Sequence, residues 1–133
     1  MKYMLDTNMC IYLIKRKPAQ VLKKFQTYDL GDICVSSITV AELQYGVEKS
    51  QHPKQNQTAL DLFLSPLIIV DFDTSAAQHY GQIRTNLESL GTPIGAYDLL
   101  IASHAQSLGI TLVTNNTREF TRVPKLTVEN WVT

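Results

Sequence analysis

Short apolar runs alternate along this chain of 133 residues with longer stretches in which apolar residues recur at helical spacing. The short runs are rich in branched side chains, which predicts strands. In chain order they are KYML, DICVSS, LIIVDFD, ITLVT and LTVENW. We expect LIIVDFD to be a buried strand because of its branched residues.

Helical spacing fills the segments between the runs. These segments are MCIYLIKRK, PAQVLKKFQTY, ITVAELQYGVEKS, TALDLFLSPL and IGAYDLLIASHA. A further amphipathic helix is predicted where apolar residues step by three or four, at Ala76, Tyr80, Ile83, Leu87 and Leu90. NNTREF predicts a loop or a short turn. Alternating strands and helices indicate an α/β sandwich with a central, mainly parallel sheet flanked by helices, and we expect a single domain over 1–133.

Charge, cysteine content and the length of the apolar runs limit which partners and which location are expected for this chain. Twelve basic and twelve acidic residues cancel, so attraction to a nucleic acid must come from local patches or a bound cation. The two cysteines, Cys10 and Cys34, lie in apolar runs, which favours buried reduced thiols. No apolar run approaches the roughly 20 residues of a membrane span, and the first residues do not resemble a signal peptide. We therefore expect a cytoplasmic protein with no membrane partner.

Polar side chains cluster near the predicted strand ends, where open parallel sheets bind ligands. Asp6 follows the first strand directly. Glu42 lies on the helix after the second strand, and Asp98 lies on the helix before ITLVT. Asn116 and Glu119 follow ITLVT itself.

Each of these residues also has a purely structural explanation. Asp6 or Asn8 is suited to cap the first helix, and Asp98 is suited to cap its own helix if that helix begins after Tyr97. Thr39 and Glu42 fit a capping box, but a cap at Ser36 or Ser37 would instead place Glu42 inside the helix. The sequence leaves these alternatives open. Asn116 fits a turn, and Glu119 fits a solvated surface.

The combination of acids is more informative than any single member. Three carboxylates on half-buried faces would repel one another if they converged, and a divalent cation would relieve that repulsion. Mg²⁺ prefers oxygen ligands and suits phosphate chemistry. His52, His79 and His104 are not placed as an acid–base pair, so histidine-based cleavage is not favoured.

Four blocks in order, MLDTN, SSITVAELQYG, GTPIGAYDLLIASHA and LVTNNTREF, resemble those of PIN-domain ribonucleases, and most closely the VapC toxins of bacterial toxin–antitoxin pairs. The resemblance covers nearly the whole chain. It implies a PIN-like fold, a Mg²⁺ or Mn²⁺ site and cleavage of RNA. By motif it makes Asp6, Glu42 and Asp98 catalytic acids, with Asp6 and Asp98 as metal ligands.

The same motifs imply supporting roles around the metal site. Thr7 and Asn8 would support Asp6, and Thr114 would line the site. Asn116 occupies the fourth acidic position of many family members, so either Asn116 serves as a neutral ligand or Glu119 supplies the missing catalytic acid. Basic residues should rim an acidic RNA site, and the candidates are Lys15, Arg16, Arg84 and Arg118.

The resemblance further implies a Mg²⁺-dependent endoribonuclease. Because the acid cluster suits attack by a metal-bound water, we expect products with 5′-phosphate and 3′-hydroxyl ends. Its expected substrate is transfer RNA, with the anticodon loop of an initiator transfer RNA as one candidate. The expected partners are a VapB-type antitoxin, operator DNA through that antitoxin only, and a second copy of the chain.

Three rival classes share some of these features. A haloacid-dehalogenase-type phosphotransferase needs a second Asp where this chain has Asn8, which argues against that class. A metal-dependent DNA nuclease of the same fold and a non-catalytic acidic α/β signalling domain remain alternatives.

Overall fold

The computed structural model describes residues 1–132, within which the chain forms five strands and seven α-helices. The strands are β1 (Tyr3–Leu5), β2 (Ile33–Ser36), β3 (Ile68–Val70), β4 (Thr111–Val113) and β5 (Val128–Glu129). The helices are α1 (Thr7–Lys15), α2 (Ala19–Gln26), α3 (Ser37–Glu48), α4 (Pro53–Leu64), α5 (Thr74–Ser89), α6 (Ala96–Leu108) and α7 (Thr117–Phe120).

The strands form one parallel sheet in the spatial order β3-β2-β1-β4-β5. Leu5 of the central strand β1 pairs with Val35 on one side and with Val113 on the other. The chain builds outwards from β1 to β2 and β3, and then returns to β4, so the strand order reverses beside β1. Open α/β sheets bind ligands at such a reversal, beyond the carboxyl ends of the strands.

Helices cover both faces of the sheet, which confirms the predicted α/β/α sandwich. Successive strand residues point to opposite faces. Leu5 and Val35 accordingly pack with the layer formed by α1 to α4, whereas Met4 and Cys34 pack with α5, α6 and α7. Trp131 closes the first layer at 2% exposure, with its ring stacked 5.0 Å from that of Tyr28.

The cysteines and the helices agree with the expectations drawn from composition. Cys10 and Cys34 are buried free thiols, as predicted. None of the helices formed by residues 1–132 has the length and apolar character needed to cross a membrane. NNTREF, predicted as a loop or a turn, contains the short helix α7.

Two predictions of burial were wrong. The run LIIVDFD forms β3, but β3 lies at the edge of the sheet, and Ile68 and Ile69 are 38% and 46% exposed. Branched residues favour the extended backbone, whereas burial depends on which strand has neighbours on both sides. Leu90 was assigned to the apolar face of α5, but α5 ends at Ser89, and Leu90 is 64% exposed.

Candidate active site

Asp6 lies directly after the central strand and is only 3% exposed. Its Oδ1 accepts a hydrogen bond from the Met9 backbone N–H (2.8 Å), so it caps α1. Its Oδ2 accepts a hydrogen bond from the Thr114 hydroxyl (2.5 Å), which lies just beyond β4. Burial raises the pKa of Asp6, the two hydrogen bonds oppose that rise, and the charge of Glu42 adds to it. Asp6 therefore caps a helix and also faces the other acids.

Glu42 lies inside α3, because Ser36 caps that helix by accepting a hydrogen bond from the Ile38 N–H (3.1 Å). This settles the alternatives that the sequence left open. Glu42 Oε1 accepts a hydrogen bond from the Thr7 hydroxyl (2.6 Å) at the start of α1. The hydroxyl of Thr39 lies 3.3 Å from that of Thr7. Thr39 was considered only as a possible cap, yet it is buried against the residue that positions Glu42.

Asp98 is the third residue of α6 and not its cap, because the cap is Gly95. Carboxylates are favoured in the first turn of a helix. Burial nevertheless raises the pKa of Asp98 to about 6, and the nearby charges of Glu119, Asp6 and Glu42 add to that rise. The negative charges of the other three acids therefore all act on the carboxyl group of Asp98.

Glu119 is held by two hydrogen bonds from different segments. Its Oε1 accepts from the Gly95 N–H (2.7 Å), and its Oε2 accepts from the Asn116 side-chain amide (2.7 Å). The Asn116 N–H in turn donates to the Thr114 hydroxyl oxygen (2.9 Å). Asn116 and Glu119 thus belong to one arrangement, in which the amide orients the carboxylate.

Gly95 lies beside two of the acids. A Cβ placed on Gly95 would lie 3.6 Å from Asp98 Oδ2 and 3.7 Å from Glu119 Oε1. Gly95 was not predicted as a site residue. The signal for it was its place in the Gly-Thr-Pro-Ile-Gly run that precedes the helix of Asp98.

The carboxylate oxygens of this cluster are the type of ligand that a hard divalent cation prefers. Within residues 1–132 no three His, Cys, Asp or Glu side chains are grouped closely enough to hold a metal ion together. Mg²⁺ typically uses one or two protein carboxylates and keeps several waters, so it does not need such a group. Asp6 and Asp98 supply oxygen ligands and mutual repulsion that a cation would relieve. These two residues therefore fit Mg²⁺ or Mn²⁺, and their role as ligands stays a prediction.

The four predicted RNA-binding residues are dispersed. Lys15 lines a cavity that Glu42 also lines, and Arg16 follows the end of α1. Arg84 donates hydrogen bonds to Glu88 (2.7 Å) and Tyr80 (2.8 Å) on its own helix. Arg118 is exposed on α7 beside Glu119. Of these four residues, Lys15 shares a cavity with Glu42, Arg118 adjoins Glu119 along the chain, and Arg84 is bonded within its own helix.

A cavity of about 450 Å³ opens next to Glu42. We call it the tyrosine pocket, and its principal lining residues are Thr7, Asn8, Glu42, Tyr45, Lys49 and Tyr97. Tyr45, Lys49 and Tyr97 were not predicted as site residues. Their sequence signal was only their spacing from the acids, three and seven residues after Glu42 and one before Asp98.

Comparison with known proteins gives a consistent family. The model of the PIN domain matches residues 3–126. The chain is 52% identical over 132 residues to ribonuclease VapC2 of Haemophilus influenzae, covering 99% of each chain. It is 50% identical over 131 residues to the tRNA(fMet)-specific endonuclease VapC of Shigella flexneri, covering 98% of each.

The fold agrees with these sequence matches. The structure resembles a crystal structure of DNA-bound VapBC from Salmonella typhimurium, with a TM-score of 0.94 and 49% identity over 98% of both chains. The family that the four sequence blocks indicated is confirmed. The chain belongs to the PIN-domain family and, within it, to the VapC endoribonucleases.

Proposed function

We propose that this chain is the toxin of a toxin–antitoxin pair and hydrolyses phosphodiester bonds of RNA at the acid cluster of Asp6, Glu42, Asp98 and Glu119. The observation that carries the proposal is the chain of hydrogen bonds and close contacts that brings these four acids, from separate segments, near one another beside the reversal of strand order. The chain is proposed to act as a single PIN domain over 1–133. The names of the curated relatives favour RNA over DNA as the substrate.

Asp6 and Asp98 are the proposed ligands of Mg²⁺, with Mn²⁺ as a substitute. When bound, such a cation polarises a phosphoryl oxygen and makes water a better nucleophile. The Met9 N–H and the Thr114 hydroxyl fix both oxygens of Asp6, so its orientation does not depend on the ligand. Gly95 begins the helix that carries Asp98, and the Gly95 N–H also holds Glu119.

Glu42 is the proposed acceptor of the proton that the attacking water loses. The hydrogen bond from Thr7 fixes one oxygen of Glu42, and α3 holds its backbone. Glu119, oriented by Asn116, is the proposed fourth acid and adds negative charge beside Asp98. Attack by water forms a new bond to phosphorus and breaks its bond to the 3′ oxygen, which takes up a proton from solvent, so the products are 5′-phosphate and 3′-hydroxyl ends.

The proposed substrate is transfer RNA, and the first candidate is the anticodon loop of the initiator. This choice rests on the Shigella flexneri relative, which is named for tRNA(fMet). The balanced charge of the chain, twelve basic against twelve acidic residues, makes local contacts decide RNA binding. Because the proposed RNA is cytoplasmic, the proposed location of the protein is also the cytoplasm.

The proposed partner is a VapB-type antitoxin, which would occupy an apolar groove between α1, α3 and α4. The groove has a volume of about 310 Å³ and is lined by Ile11, Ile14, Lys15, Leu43, Val47 and Leu60, with Glu42 at one wall. A second cavity of about 400 Å³ lies against α2 and α4 and includes Leu62, which is 72% exposed. Adjoining apolar surface of this kind fits the apolar face of a partner segment.

An occupant of the apolar groove would touch Glu42, which explains how binding inhibits cleavage. Operator DNA is proposed to bind through the antitoxin only, as the DNA-bound VapBC relative is a complex of both proteins. A homodimer of this chain completes the proposed assembly.

The test is cleavage of purified transfer RNA by the protein in Mg²⁺, with and without a chelator, beside Asp98→Asn. Asparagine preserves the size of the side chain and removes its charge. We expect discrete fragments that both the chelator and the substitution abolish, and Mn²⁺ to restore the chelated sample. Cleavage unaffected by either change would overturn the proposal.

A further inference from the structure

We propose that the tyrosine pocket holds an unpaired RNA base beside the scissile phosphate, with the base stacked on Tyr45 and Tyr97 and an adjoining phosphate on Lys49. This inference rests on the proposed function, since it assigns the substrate contacts of the same site. It makes Tyr45, Lys49 and Tyr97 residues that position the substrate and select single-stranded RNA.

The pocket is continuous with the acid cluster. Thr7 and Glu42 line it, and these two residues are joined by a 2.6 Å hydrogen bond. Tyr45 lies one helical turn after Glu42 on α3, and Tyr97 directly precedes Asp98 on α6. The pocket is therefore bordered by α3 and α6, which carry Glu42 and Asp98, and by α1, which Asp6 caps. A base held there places its own phosphates next to them.

The exposure of the two tyrosines is specific to this pocket. Tyr45 is 65% exposed and Tyr97 is 57% exposed. The other aromatic side chains within residues 1–132 are buried or half-buried, including the ring of Trp131. Two exposed aromatic rings on different helices, at one cavity beside an active site, are what stacking of a base requires.

The charges around the pocket also fit a nucleotide. Lys49 Nζ lies 4.7 Å from the centroid of the Tyr45 ring, so a cation accompanies the aromatic face. Lys49 lines the same pocket as Glu42 and is suited to contact a phosphate. Asn8, which is exposed at the rim, offers an amide donor and acceptor to a base edge.

An unpaired nucleotide is the occupant that uses all of these features. In double-stranded RNA the bases are stacked within the helix, and recognition depends mostly on shape and backbone contacts. Proteins that bind single strands combine aromatic platforms with a basic track for the backbone. The pocket offers both elements, which predicts that cleavage occurs in loops and not in paired stems.

The test uses a short single-stranded RNA that carries one 2-aminopurine, whose fluorescence falls on stacking. Every protein in this comparison carries Asp98→Asn and is measured in Mg²⁺, so that the RNA stays intact. Tyr45→Leu and Tyr97→Leu remove the aromatic face, and Tyr45→Phe and Tyr97→Phe are the matched controls that keep it. We expect each Leu variant to bind at least about fivefold more weakly with loss of quenching, and each Phe variant to stay within about twofold.

The role of Lys49 is tested by salt dependence. Lys49→Gln should reduce the slope of log K against log [salt] by about 0.7, the value for one phosphate contact to a single strand. Lys54→Gln, which removes an exposed lysine on α4 outside the pocket, should leave the slope unchanged. Equal slopes for the two variants and the parent would overturn the assignment of Lys49.

Two results would overturn the stacking proposal. In the first, the Leu variants bind and quench like their parent while the unsubstituted chain cleaves RNA, so this inference fails and the proposed function stands. In the second, sedimentation shows that the Leu variants lose a dimer and RNA binding falls only in proportion, so the tyrosines join two copies of the chain.

If the unsubstituted chain neither binds nor cleaves RNA in Mg²⁺, the proposed function fails and this inference with it. Equal thermal unfolding midpoints establish that the variants are folded.

Discussion

The Thr114 hydroxyl donates a 2.5 Å hydrogen bond to Asp6 Oδ2, and this bond joins the ends of the two adjacent strands β1 and β4. Both residues are almost completely buried. The same hydroxyl oxygen accepts from the Asn116 N–H, so it links Asp6 to the segment that carries Glu119. One side chain therefore sets the position of an acid on each side of the reversal in strand order.

Thr114→Val should weaken both stability and metal binding. Valine has nearly the same shape but leaves Asp6 without a donor that lowers its pKa and leaves the Asn116 N–H without an acceptor. We expect a loss of about 1–3 kcal/mol in the free energy of unfolding and weaker Mg²⁺ binding, measured by urea unfolding and calorimetry. Thr114→Ser, which keeps the hydroxyl, is the control. A valine variant as stable as the serine variant would remove Thr114 from this role.

Asp98→Asn should stabilise the metal-free protein at neutral pH. The pKa of Asp98 is raised to about 6, so the folded state binds this proton more tightly than the unfolded state does. The contribution of protonated Asp98 to the free energy of unfolding is therefore complete below the ordinary Asp pKa of about 4, and it is lost as the pH rises through 6.

Because Asp98 is half-exposed, the gain from Asn at pH 8 should be only about 1 kcal/mol after allowance for solvent screening. Urea unfolding in chelator at pH 5 and pH 8 measures this difference. The advantage of Asn over Asp should be larger at pH 8, and an advantage independent of pH would show that repulsion among the acids is not the cause.

Asn116→Asp should make the fold depend on metal. The substitution removes the amide donor to Glu119 and adds a charge beside it. Without metal we expect a loss of about 1–3 kcal/mol in unfolding free energy, and saturating Mg²⁺ should recover most of it. Asn115→Asp, one residue earlier on an exposed position, is the control. Equal effects of Mg²⁺ on both variants would separate Asn116 from the acid cluster.

The main acids could be predicted because strand ends converge in a parallel sheet. Asp6, Glu42 and Asp98 each lie on a segment that adjoins such an end, and their motifs resemble those of a known family. The choice between two caps for α3 could not be made from sequence. In the structure the Ser36 hydroxyl caps α3 and lies 2.7 Å from Nδ1 of His104, a contact with a residue 68 positions away.

Other features could not be predicted from the sequence for the same reason, because they depend on residues that are far apart along the chain. The Gly95 N–H meets Glu119 across 24 residues, and no local spacing encodes that contact. The exposure of Ile68 and Ile69 depends on β3 being the edge strand, which is set by the order of strands and not by residue type.

Leu62→Glu should separate inhibition from catalysis. Leu62 is 72% exposed beside the apolar groove, and a carboxylate there would have to be desolvated against a partner. We expect binding of the antitoxin to weaken at least about tenfold, with RNA cleavage unchanged, as measured by calorimetry and gel assay. Leu90→Glu, at an exposed site after α5, should change neither quantity. Equal antitoxin affinity for both variants would place the partner elsewhere.

The chemistry of the new RNA ends tests the central claim most directly. Transfer RNA cleaved by the protein in Mg²⁺ should yield 5′-phosphate and 3′-hydroxyl ends, read by ligation with and without kinase treatment. Asp98→Asn should yield neither, because the carboxylate that helps to hold the cation is gone. Fragments that end in 2′,3′-cyclic phosphate and persist in Asp98→Asn would contradict the account, since the 2′-hydroxyl and not water would then be the nucleophile.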